Sequence, residues 1–331
     1  MHHSVARPMS IAMLAVAVVT SSSACAGDSS TTAVMSVDEM RQWEEDVITF
    51  RNTASGAWPD VDVVFADYAD DAVFYDPGSG DYLVEGQKSI IFIHRPMAAF
   101  WPDISGKAAT AFVSADAAAM LVEVANLWPP WVPEPPDPPP VEFLEVYRFE
   151  NDLVTAFEVW NTIETFELTG LGCFADSGCV AELEAIANQY VAAWSSGNEE
   201  KIAALYADDA VFEDTMFGLE GEGSSAIARL ADERIGPKAN AKLEVLGLAA
   251  QINGPSAPTE TQPDQGGIIA VAIHYRWTAT IDDDEMTGEG LTTFELGTRM
   301  KSSFEPEPDG LITREEVFHD AESLITAGMA P

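Results

Sequence analysis

Glu145 is the residue with the clearest chemical demand. Phe143, Glu145, Tyr147 and Phe149 recur at every second position, so a strand would place all four on one face. A carboxylate on an aromatic face must be paired or protonated. Two further carboxylates occupy matched places. The string YADDAVF occurs at Tyr68–Phe74 and again at Tyr206–Phe212, and each copy runs two residues on to an Asp: Asp76 and Asp214. Each Asp precedes a Gly-rich turn that it could simply cap. His319 lies on the last predicted strand, where it could act as a general base near Asp214, and Tyr190 lies on a predicted amphipathic helix. Trp160 and Phe318 hold matching places on the last strands of the two copies, a pattern that predicts the linings of two cavities. No Gly-rich phosphate loop, nucleophile elbow or His/Cys metal cluster is present, and no cofactor or metal is expected. Asp282–Glu285 lacks the spacing of a calcium loop and reads as a solvated turn.

The elements that must carry these residues come in two sets. After each YADDAVF follow a Gly-rich turn and a helix start, Glu85-Gly86 in one copy and Glu222-Gly223 in the other; later, Asp152-Leu153-Val154-Thr155 is echoed by Gly310-Leu311-Ile312-Thr313. Matched blocks in one order mean a duplicated domain. In the first copy, helices are predicted over 37–55, 61–68 and 87–101, with strands over 72–76, 108–113, 117–127, 141–149 and 153–163. The second copy repeats this order: helices over 180–195, 199–206 and 224–235, strands over 210–214, 243–252, 268–281, 286–301 and 311–321. A proline-dense stretch at 128–140 reads as a protruding loop with Trp128 and Trp131 beside it, and 253–267 as a loop one hairpin earlier.

The order predicts an α+β fold: two cone-shaped domains, each a curved antiparallel sheet wrapped around N-terminal helices. The expected boundaries are 1–24 signal peptide, 25–36 tether, 37–165 first domain, 166–179 linker and 180–331 second domain. Arg7, the apolar run 11–19 and Ser21-Ser22-Ser23-Ala24 read as an export signal too short to span a bilayer permanently. Cys25 then resembles the lipidated first residue of a bacterial lipoprotein, though Ser22 stands where that motif usually has Leu. Export makes Cys173 and Cys179 a disulfide pair within the linker. The alternative is plain secretion.

Charge excludes some partners. The chain carries 16 basic against 55 acidic residues, a net charge of −39. Nucleic acid and anionic membrane surfaces are therefore poor partners, and contact with a membrane is expected through the lipid only.

Tyr190-Val-Ala-Ala-Trp194, Gly197-Asn198 and Leu205–Asp214 together resemble the opening of nuclear-transport-factor-2-like domains, and within that superfamily the SnoaL-like cyclases and ketosteroid isomerases. The resemblance implies that Asp76 and Asp214 stand where isomerases keep a proton-abstracting base, and Tyr190 where they keep an oxyanion-holding Tyr. It places Glu145 at the second acid, which ketosteroid isomerases keep protonated. The corresponding places are about Phe50 in the first domain and near Met300 in the second, so neither holds the complete set. The resemblance also implies that the two domains pack as an intramolecular pseudo-dimer. Three functions stay open: a module binding a small apolar ligand, with Trp160, Tyr147, Phe318 and His319 lining its sites; a carboxylate-base cyclase, isomerase or hydratase using Asp76, Glu145, Asp214 and Tyr190; or an envelope scaffold.

Overall fold

The computed structural model describes residues 35–76, 82–127, 141–163, 165, 179–234, 239–253, 267–281, 284–300 and 306–326. The expectations for Cys25, Cys173, the proline-dense loop and most of the 253–267 loop lie outside these residues. So do the side chains of Asp76, Cys179 and Met300.

The first half opens with α1 (Val37–Gly56), started by a capping box in which Ser36 and Glu39 satisfy each other's backbone donors. A short α2 (Val61–Val64) leads into β1 (Tyr68–Asp76) and β2 (Tyr82–Glu85), then α3 (Gln87–Phe100). Four strands follow: β3 (Ser105–Val113), β4 (Ala117–Ala125), β5 (Val141–Glu150) and β6 (Leu153–Thr162). The second half repeats the order as α4 (Cys179–Ser196), α5 (Glu199–Ala203), β7 (Tyr206–Asp214), β8 (Leu219–Glu222), α6 (Ser224–Arg234), β9 (Ala239–Asn253), β10 (Gly267–Ile281), β11 (Asp284–Met300) and β12 (Pro306–His319), and adds α7 (Ala321–Thr326).

One expectation shifts. YADDAVF was predicted to begin in a helix, but the whole string is strand in both halves. Tyr68, Ala72 and Phe74 are buried while Asp70 and Asp71 are exposed, and the second copy repeats this alternation. The glycine that follows is required. Gly223 sits at φ +83°, and a Cβ there would lie 2.9 Å from the Asp208 carbonyl oxygen.

The register fixes which residues of the two halves are equivalent. Phe74 on β1 pairs with Phe157 on β6, and its repeat partner Phe212 on β7 pairs with Glu315 on β12. Counting along, Trp160 corresponds to Phe318 and Asn161 to His319. Across β5–β6 and β11–β12, Leu144 then corresponds to Leu291, and Glu145 to Thr292. The place of the second acid in the second half is therefore Thr292, eight positions before Met300; the loose spacing of the long strands hid this.

The two curved sheets meet at both edges. β6 pairs with β9 through Asn161↔Ala250 and Thr162↔Ala249, and β12 with β3 through His319↔Val113. Strands β3–β6 and β9–β12 thus form a closed circuit. Each half keeps a core inside its cone: Met40, Trp43, Val47, Phe74, Tyr147 and Phe157 in one, Tyr190, Trp194, Phe212 and Phe294 in the other. A third core lies between the sheets and joins Phe112, Leu144 and Trp160 to Ala249, Leu291 and Phe318.

Candidate functional site

In the first cone, Glu145 is 5% exposed. Arg51, reaching in from α1, donates to it through Nε and, at 2.8 Å, through Nη2. Tyr147 donates its hydroxyl at 2.8 Å. Burial first, and then the Glu145 charge, raise the Tyr147 and Tyr68 phenols above their ordinary value, so both stay protonated. For Arg51, burial is the largest single effect and lowers the pKa; the charge of Glu145, the tyrosines and the hydrogen bonding to Glu145 together outweigh it, and the net shift is upward.

Local sequence explains the reach of Arg51. Its guanidinium crosses Gly106 on β3, where a Cβ would lie 2.6 Å from Nη2. Ser55 accepts from the Gly106 amide, and Ser195 accepts from the Leu243 amide in the same way. These matching contacts put Phe50 level with Tyr190, and Arg51 level with Val191. Where the first half has Arg over Gly106, the second has Val191 with Leu243.

The second cone draws its buried carboxylate from another strand. Glu315, fully buried on β12, accepts from Tyr190 at 2.6 Å, from Thr292 at 2.9 Å and from Tyr206. Trp194 donates to the Tyr206 hydroxyl at 3.1 Å. Tyr190 is therefore engaged with Glu315. Asp214 instead meets His319: Nε2 lies 2.9 Å from Oδ1, with both side chains buried and the Phe217 ring set edge-on against the imidazole.

Trp160 and Phe318 sit elsewhere than expected. Both belong to the core between the sheets, and β6 and β12 turn Val159 and Val317 toward the cones instead. Strand alternation is the reason: the adjacent residue faces the opposite side. Tyr147 does face its cone.

Sequence reasoning missed Arg51, Tyr68, Tyr206 and Glu315. The two tyrosines open the repeated string itself. Arg51 is one of few cations, placed on a helix with apolar spacing, which was a usable signal. A polar seam between the halves was also missed. Arg148 on β5 donates to Glu316 at 2.6 Å and lies 3.9 Å from Glu158. Ser114 donates to Glu316 at 3.2 Å, and Gln251 to Glu158 at 3.3 Å. Burial raises the Glu158 carboxyl, which Arg148 holds down. Among the described residues, no group of three His, Cys, Asp or Glu side chains could hold a metal ion.

Paired cones with polar clusters in aromatic interiors define a tandem α+β cone protein. The family model described as a SnoaL-like domain matches residues 54–157 and 187–315, and the chain belongs to that family, with one match in each half. No curated protein matches the chain in sequence. Among solved structures, it is similar to a hypothetical protein with a ketosteroid isomerase-like fold from Catenulispora acidiphila, crystallised with trimethylamine: 16% identity, 44% of this chain, 92% of that one, TM-score 0.31. An LEH-like epoxide hydrolase of M. tuberculosis gives 16% identity over 44% of this chain and 87% of that one, TM-score 0.29. Delta 5-3-ketosteroid isomerase from Mycobacterium sp. gives 21% identity over 43% and 95%, TM-score 0.29.

Proposed function

We propose that the chain is an exported, lipid-anchored protein that binds a small apolar molecule. One observation carries the choice of binding over catalysis. In both cones the buried carboxylate is taken up by the protein's own donors: Arg51 and Tyr147 for Glu145, and Tyr190, Tyr206 and Thr292 for Glu315. A base or an oxyanion donor must aim at a substrate; these groups aim at each other. Export rests on the N-terminal pattern ending at Cys25, and in an oxidising compartment Cys173 and Cys179 would join.

Native mass spectrometry of the intact chain purified from its own host tests the reading. A co-purifying apolar molecule released unchanged supports it. A chain that instead converts that molecule refutes it in favour of catalysis.

A second reading is supported by the Asp214–His319 pair. A carboxylate that orients a buried imidazole can serve proton transfer, and this pair lies under Phe217 where β12 meets β3. It would make the chain an isomerase-like or cyclase-like enzyme with His319 as base and Asp214 as its orienting partner. The first half has Asn161 in place of His319, so His319→Asn would abolish turnover on this reading and leave ligand retention unchanged on the first.

A further inference from the structure

We propose that a cleft between the two sheets, made by the pairing of the halves, binds a small monocyclic aromatic molecule of the phenol class. The proposal rests on the binding reading above and names its site and ligand chemistry.

The cleft measures about 200 Å³. Leu121, Leu144, Ala249 and Leu291 form its apolar lining, and Glu142, Thr162 and His274 are its polar side chains. Its origin lies in a broken symmetry. The edge pairings His319↔Val113 and Asn161↔Ala250 are equivalent, so Phe112 and Ala249 are equivalent, one residue back. Across the next strand pair, Phe112 stands opposite Ala119 and Thr110 opposite Leu121, while Ala249 stands opposite Ala272 and Gly247 opposite His274. Leu121 and His274 are therefore equivalent too. On one side of the seam the Phe112 ring packs on His274, with centroids 5.0 Å apart. On the other side the matching contact would be Ala249 on Leu121. There the ring is reduced to a methyl group, and both residues line the cleft.

The protein's own Phe112 thus shows what fits the vacant half: one aromatic ring. An apolar cavity of about 150 Å³ is enough to hold benzene. The polar substituent follows from His274. Its Nε2 lies 3.1 Å from a Glu289 carboxylate oxygen, and a carboxylate can only accept. That bond fixes the proton on Nε2 and leaves Nδ1 as an acceptor. Burial, the larger effect, lowers the His274 pKa against the opposing pull of Glu289, which favours the neutral ring. A hydroxyl on the ligand ring is the complementary donor. At Gly247 a Cβ would lie 3.7 Å from the His274 Cβ and 3.9 Å from Nδ1, so glycine keeps this side of the imidazole uncovered.

The test titrates 4-fluorophenol into the intact chain and follows its fluorine resonance. Saturable binding is expected. Ala249→Phe should supply the missing ring and weaken binding by at least about tenfold, with an unchanged or raised melting temperature. Should Ala249→Phe fail to fold, Ala249→Leu must still weaken binding. Saturable binding that both variants leave intact would remove the cleft as the site while keeping the binding reading. No binding to the parent, with an apolar molecule still co-purifying from the host, would overturn the phenol-class cleft alone. No binding and no co-purifying molecule would overturn both.

Discussion

Arg51→Met is the perturbation that separates a structural from a catalytic Glu145. The parent pair is buried, with side chains 11% and 7% exposed, and is joined by two charge-assisted hydrogen bonds. Methionine keeps much of the apolar stem and removes the charge. Glu145 would then retain the Tyr147 hydroxyl in an aromatic core formed by Phe50, Phe149 and Phe157. Removing one partner of a buried ion pair costs about 3–5 kcal/mol, because the other charge stays behind. The double variant Arg51→Met, Glu145→Met removes both charges and should recover most of that loss, ending within about 1–2 kcal/mol of the parent. Urea unfolding followed by Trp fluorescence reads the cycle, since Trp43 lies in the same core. A single-variant cost below about 1 kcal/mol, the scale of an exposed pair, would refute the reasoning. So would a double variant no more stable than the single one, because Glu145 would then be tolerated without its cation and remain available for chemistry.

Three further outcomes follow from the same geometry. Gly106→Ala should displace the Arg51 guanidinium and destabilise the first half, while Leu243→Ala in the second should show only an ordinary packing loss; urea midpoints compare them. Tyr206→Phe removes a donor to buried Glu315 and the acceptor of Trp194, and should cost about 1.5–3 kcal/mol in the same assay. The Glu44 carboxyl is pushed up to about 8, mainly by burial against α7, from an ordinary value of 4.5. A raised folded pKa gives stability that is full below about 4.5 and lost as pH rises through about 8. Discounted for partial exposure, Glu44→Gln should gain about 1–2 kcal/mol at pH 8.5 and almost nothing at pH 4, which melting curves at the two pH values would show.

The fold was legible because the repeat carried it. YADDAVF, its trailing glycine and the period-two pattern of β5 fixed the element order in both halves. Polar partners were less legible, because a buried pair joins residues far apart in sequence: Arg51 and Glu145 are separated by 94 positions, and Tyr190 and Glu315 by 125. The demand on Glu145 could be read from its aromatic neighbours, but nothing local named Arg51 as the answer. Trp160 and Phe318 show the other limit. Their equivalence was readable, but which face of the strand they take depends on where β1 and β7 pair, and a shift of one residue reverses it.

The two halves also bear on what the buried carboxylates are for. A catalytic base is tied to one place in the cone, because the substrate and the oxyanion donors must meet it there. Here the buried acid stands on β5 in the first half and on β12 in the second, with Thr292 in the place of Glu145 and Phe157 in the place of Glu315. Its partners change as well: a guanidinium over glycine in one cone, phenols and a threonine in the other. Two unlike solutions to one demand, filling a cone and satisfying the acid within it, are what packing produces when no substrate fixes the geometry. The Asp76 and Asp214 positions, by contrast, are shared by both copies, whereas His319 answers to Asn161 in the first, so the catalytic reading proposed above rests on the second half alone.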